Sequence, residues 1–91
     1  MNMEWTQLEL QNGWKPIERF NPPAYRVEDE KVYLRGVAVG GELGTVAFKF
    51  PIEMDAREFN RLEKIDNTWY KYRFKVEENG NVIITEQKVN I

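Results

Sequence analysis

The chain has 91 residues, fifteen acidic against thirteen basic, and neither cysteine nor histidine. That composition excludes disulfides and thiolate metal sites, and it removes both the commonest metal ligand and the usual general base near neutral pH. A net charge of −2 gives no global pull towards nucleic acid or an anionic membrane.

The length predicts one domain over residues 1–91, in which folding buries only about 60–65% of the unfolded surface, so association between copies would add stability. The opening MNMEWTQLELQNGW has no basic leader and no continuous apolar core, and so predicts no secretory signal. No apolar run approaches the roughly 20 residues of a spanning helix. The expectation is a soluble chain with no membrane segment.

In chain order, Trp5 to Leu10 reads as a short strand or tucked arm, ended by Asn12-Gly13. Trp14 and Phe20 flank Lys15-Pro16-Ile17, and Asn21-Pro22-Pro23 follows. Fixed proline φ angles keep this segment out of a central ladder, which predicts a crossing loop pinned by two aromatics.

From Ala24 a hairpin is predicted with Glu28-Asp29-Glu30-Lys31 as its turn, placing Val27 opposite Val32 and Tyr25 opposite Leu34 on one face. Without glycine in it, this turn reads as type I or a slightly wider loop. Alternation continues from Val32 to Val39 and predicts one strand there. Gly40-Gly41-Glu42-Leu43-Gly44 lets the chain reverse. A further strand, Thr45 to Phe50, puts Val46, Phe48 and Phe50 on one face.

After Pro51 the pattern changes. Asp55-Ala56-Arg57-Glu58 resembles a capping box, and Ala56, Phe59, Leu62 and Ile65 recur near the helical period, which predicts a short helix over 55–65, with an irregular excursion between strands as the competing reading. The last third reads as a hairpin, TWYKYRFKVEE and NVIITEQKVNI about Asn79-Gly80, the strongest short hairpin signal. A two-residue turn sets Val76 against Ile83, Phe74 against Thr85, Tyr72 against Gln87, Tyr70 against Val89 and Thr68 against Ile91. The opposite face sets Arg73 across from Glu86. The fold class expected is an all-β, small antiparallel β-sandwich, jelly-roll-like, with that one short helix.

The chemical candidates are few. Lys71, Arg73 and Lys75 share one face of a strand, as in single-strand nucleic-acid binders, yet the interleaved Tyr72 and Phe74 fall on the other face. Charge runs are usually solvated faces, so nucleic acid is the lesser expectation. The carboxylates Glu28, Asp29, Glu30, Glu53, Asp55, Glu58, Glu63 and Asp66 lie in turns and on the presumed helix surface. They lack the spacing of a calcium loop and the cleft a glycosidase needs. No catalytic, cofactor or metal site is predicted. Trp5, Trp14 and Trp69 invite a saccharide platform, although tryptophans in so small a domain usually enter a core or an interface. Trp69 stands apart, because alternation puts it on the face of Lys71, Arg73 and Lys75. These four residues are the candidate ligand-binding set.

Four pieces occur in order: Leu8-Glu9-Leu10-Gln11-Asn12-Gly13-Trp14, Pro23-Ala24-Tyr25-Arg26, Val32-Tyr33-Leu34-Arg35-Gly36-Val37, and Gly44-Thr45-Val46-Ala47-Phe48 with Pro51. This order resembles the β-rich terminal, receptor-binding domain of tail-fibre and baseplate proteins of phages and prophages of Gram-positive bacteria. The resemblance implies a compact β-sandwich, a homotrimer, a place on the virion tail, and recognition of cell-wall saccharide or docking on another tail protein. Without it, the chain reads as a bacterial cytoplasmic protein.

Overall fold

The computed structural model describes residues 4–17 and 22–90. Nine strands build it, and no helix occurs among the described residues: β1 Thr6–Gln7, β2 Lys15–Pro16, β3 Ala24–Glu28, β4 Lys31–Arg35, β5 Ala38–Val39, β6 Val46–Lys49, β7 Arg57–Ile65, β8 Thr68–Val76 and β9 Asn81–Val89. They form antiparallel sheets in the orders β1-β3-β4, β2-β5 and β6-β9-β8-β7. The all-β sandwich is as the sequence predicts.

The core lies between the four-stranded sheet and the two smaller ones. Phe48, Tyr72, Phe74, Val76, Val82 and Ile84 come from the large sheet, and Leu8, Trp14, Val37 and Ala38 from the other side. Several of its aromatic rings pack on one another. Phe74 stacks between Phe59 at 4.9 Å and Tyr72 at 5.5 Å, and Tyr25 meets Phe50 edge-on at 5.6 Å. The Tyr72 hydroxyl and the Gln87 amide each donate to the Ala38 carbonyl at 2.9 Å, tying β8 and β9 to β5 across the core.

The helix expected over 55–65 is replaced by β7, which pairs with β8 from Arg57↔Val76 to Ile65↔Thr68. The helical spacing came from residues on both sides of a strand: Phe59 and Ile65 face the core, whereas Leu62 is 56% exposed on the opposite face and Ala56 is exposed. Alternation of the intervening residues is the period that the backbone follows. Asp66 and Asn67, both with positive φ (49° and 65°), close this hairpin as a two-residue type I′ turn.

The hairpin of β3 and β4 has the predicted register, with Val27↔Val32 and Tyr25↔Leu34. Its turn is type I′ rather than type I, because Asp29 and Glu30 have φ of 50° and 62°. A two-residue loop must match the strands' right-handed twist, and the primed turns do so. A left-handed conformation costs a glutamate about 1–2 kcal/mol that glycine avoids, partly offset by glycine's greater freedom when unfolded. Glu30→Gly is therefore expected to stabilise the domain by about 0.5–1 kcal/mol, read as a higher urea midpoint; a lower midpoint contradicts this account of the turn.

The predicted strand from Val32 to Val39 is divided. Gly36 takes φ of 90°, with the Pro22–Pro23 backbone packed where a Cβ would stand, and the chain passes from β4 to β5 in another sheet. Lys15 and Pro16 are not a loop but pair with Val39 and Ala38, in a two-stranded ladder where proline is tolerated. Trp14 is buried as expected; Phe20 and Asn21 lie outside the described residues, as does Ile91. A bulge between Val46 and Phe48 breaks the alternation of β6, so Ala47 and Phe48 are both buried.

The last hairpin carries the most informative correction. Its turn spans three residues, Glu78 to Gly80: Gly80 N–H donates to the Glu77 carbonyl at 2.9 Å, and Glu77 N–H to the Asn81 carbonyl at 2.9 Å. Gly80 has φ of 94°, the type I turn with a glycine bulge. The extra residue shifts the register by one, to Val76↔Val82 and Phe74↔Ile84, until a second irregularity between Arg73 and Phe74 restores the predicted Arg73↔Glu86, Tyr72↔Gln87 and Tyr70↔Val89. A slip of one exchanges the faces of a strand. Here it takes Val82 and Ile84 into the core in place of Ile83 and Thr85, so hydrophobic burial decides the register near the turn.

Candidate functional site

Strand β8 is interior to the four-stranded sheet, and its alternation divides its residues cleanly. Tyr72, Phe74 and Val76 are buried, while Trp69, Lys71, Arg73 and Lys75 stand on the outer face. All four predicted residues thus lie on one surface. The register adds neighbours that, apart from Glu86, the sequence reading assigned to a helix or left aside. On β7, Glu58 pairs with Lys75, Asn60 with Arg73, Leu62 with Lys71 and Lys64 with Trp69. On β9, Ile83 pairs with Lys75, Glu86 with Arg73 and Lys88 with Lys71.

Over the paired residues of β7, β8 and β9 this face carries five cations, Lys64, Lys71, Arg73, Lys75 and Lys88, against two carboxylates, Glu58 and Glu86, in a chain whose net charge is −2. Local pairing neutralises little of it. Arg73 Nε donates to Asn60 Oδ1 at 3.4 Å, and the Glu86 carboxylate turns to Lys88, 3.5 Å away, rather than to Arg73 opposite. Lys71 faces Lys88 directly, a like-charge pair that costs stability in a sheet. At its end, Trp69 is 38% exposed with the Lys64 ammonium 5.8 Å from its ring centroid, and Leu62 is open to solvent beside it. An indole face with surrounding ammonium and guanidinium groups can pack on a flat ring and hold anionic substituents.

The three tryptophans form no common platform. Trp14 is in the core, and Trp5 lies between the Arg26 and Arg35 guanidiniums at 4.9 and 4.6 Å. Arg26 in turn covers Tyr33 at 5.0 Å, so Trp5 belongs to an arginine–aromatic ladder on the small sheet. Leu62, Lys64 and Lys88 are among the members of the outer face that sequence reasoning missed. Asp66-Asn67 between two alternating runs was the signal for the hairpin that brings Leu62 and Lys64 there. Among the described residues no three His, Cys, Asp or Glu side chains group as metal ligands, and no helix is long and apolar enough to cross a membrane.

Behind this face, burial pushes the Tyr72 hydroxyl up to about 12 from 10.0, with the Gln87 hydrogen bond acting in the opposite direction. The folded state therefore keeps a proton that the unfolded chain loses. This contribution is complete below pH 10 and is lost as pH rises through 12, a fall of up to about 2–3 kcal/mol. Tyr72→Phe is expected to start about 1 kcal/mol lower at neutral pH for its lost hydrogen bond, and to lack this part of the alkaline fall. Denaturant midpoints from pH 9 to 12 check it; parallel curves for the two proteins contradict it. No family model, curated protein or solved structure matches the chain, so its likeness to other proteins adds nothing to this geometry.

Proposed function

We propose that the chain is a non-enzymatic recognition domain of the phage or prophage tail type, self-associating as a homotrimer and meeting its target through the outer face of the four-stranded sheet. The target is a cell-wall saccharide bearing anionic groups, or the surface of another tail protein. One observation carries the reading: Trp69 and Leu62 lie exposed on a sheet face where the paired residues of β7, β8 and β9 include five cations and two carboxylates, in a chain of net negative charge. The indole supplies a flat apolar surface, the cations supply attraction and orientation, and neither requires a nucleophile or a general base.

Co-sedimentation with Gram-positive cell walls tests it. The wild-type protein is expected to bind, and Trp69→Ala and the double change Lys71→Glu with Arg73→Glu each to lose at least tenfold in affinity; the double change should keep the wild-type stability within about 0.5 kcal/mol, as exposed substitutions do, and Trp69→Ala should lose about 1–2 kcal/mol for the covered part of its ring while staying folded. Binding unaffected by both variants removes this face from the reading. Sedimentation equilibrium at micromolar concentration should give three times the monomer mass, and a strict monomer removes the trimer.

A second reading, single-stranded nucleic-acid binding through Lys71, Arg73 and Lys75, is favoured by Trp69 lying on the cationic face and not behind it. Its mark would be quenching of Trp69 fluorescence by an oligothymidylate, weakening steeply with salt. Absence of quenching at low salt dismisses it.

A further inference from the structure

We infer that the open edge of β4 and the groove beside it receive an extended, basic segment of a partner protein as an added strand. In the order β1-β3-β4, β4 is terminal, and its outer edge has no ladder partner among the described residues. Consecutive residues Glu30 to Leu34 form one wall of a groove of about 1220 Å³, which sets the unpaired edge of the strand, and not only its side chains, against the groove. An unpaired edge is a template for another strand.

The groove is also lined by the connection from Ile52 to Asp55, by Arg57 and Phe59 of β7, and by Glu78 and Asn79 of the β8–β9 turn. Among its lining residues Val32, Leu34, Met54 and Phe59 are only partly covered, and Phe50 and Val76 are buried. Every second side chain of an added strand could pack on these apolar groups.

The rim selects the charge of the occupant. Glu30, Glu53, Asp55 and Glu78 line the groove against only Lys31 and Arg57, and Arg57 already meets Asp55 at 3.9 Å. A segment alternating apolar residues with Lys or Arg answers both the apolar lining and the carboxylates. This surface uses residues of β4, the β6–β7 connection and the core-facing side of β7. It is separate from the outer face and does not depend on the function proposed for it.

The test titrates the ¹⁵N-labelled full chain with the heptapeptide Lys-Val-Lys-Val-Lys-Val-Lys, its Glu-for-Lys counterpart, and the two forms of the lysine peptide N-methylated on alternate amides. Saturable shifts at the amides of Val32, Tyr33 and Leu34 are expected with the lysine peptide and not with the glutamate one. One N-methylated form should bind at least tenfold more weakly than the other, because only one set of amides faces β4. The exposed double change Glu53→Lys with Asp55→Lys should also weaken binding at least tenfold. Equal binding of the two N-methylated forms, or shifts that avoid β4, overturns the inference. So does hydrogen-exchange protection of the outward β4 amides in the peptide-free protein, which would mean that a second copy of the chain already occupies the edge.

Discussion

Gly80→Ala is expected to destabilise the domain by about 3 kcal/mol or more, a large share of the 5–15 kcal/mol that holds a small domain together. Two independent costs add. The residue has φ of 94°, a conformation that a side chain makes unfavourable by about 1–2 kcal/mol. A Cβ there would also run into the Phe50 carbonyl oxygen and stand 2.8 Å from that of Ile52. Both are backbone atoms, and the turn cannot withdraw from them without giving up the 2.9 Å hydrogen bond from Phe50 N–H to the Gly80 carbonyl. Asn79→Ala is the control: it removes the 3.0 Å bond from Asn81 N–H to the Asn79 side chain and should cost about 1 kcal/mol. Urea midpoints read both, and equal losses would mean that the close approach of turn and strand is not as described.

Phe74→Ala is expected to cost about 3–5 kcal/mol, the usual range for removing a buried phenylalanine. Its ring is 4% exposed and stacked between Phe59 and Tyr72, and strands on both sides of β8 fix the surrounding groups, so the space cannot readily collapse. Lys75→Ala, next in sequence but on the solvent face, should stay within about 0.5 kcal/mol. A comparable loss at both positions would contradict the assignment of faces on β8, and with it the position of the candidate site.

That assignment was readable from the sequence because TWYKYRFKV alternates without interruption, which sets Tyr70, Tyr72 and Phe74 on one face of a strand and Trp69, Lys71, Arg73 and Lys75 on the other. The β3–β4 register was readable for a similar reason, with Val27, Val32, Tyr25 and Leu34 all agreeing on one face. What escaped were places where two local signals competed. Residues 55–65 carried apolar groups on both sides of a strand, which imitates the helical period, and Asp66-Asn67 is a weaker turn signal than Asn-Gly. At Asn79-Gly80 the turn dipeptide was recognised but not the loop length, since the same residues serve a two-residue turn and the three-residue turn with Gly80 last. Only the burial of Val82 and Ile84 over Ile83 and Thr85 decides between them. The candidate face was therefore half readable: its β8 stripe was evident, whereas Leu62, Lys64 and Lys88 required the pairing of β7 and β9.

The central claim is that this outer face is the surface through which the domain works. Amide chemical-shift mapping of the full chain with solubilised Gram-positive cell-wall saccharide tests it most directly. The account predicts perturbations concentrated on alternate residues of the three adjoining strands, around Asn60 to Lys64, Trp69 to Lys75 and Glu86 to Lys88, with the Trp69 indole N–H among the largest. Saturable perturbations confined to other surfaces, or none at all, would contradict it.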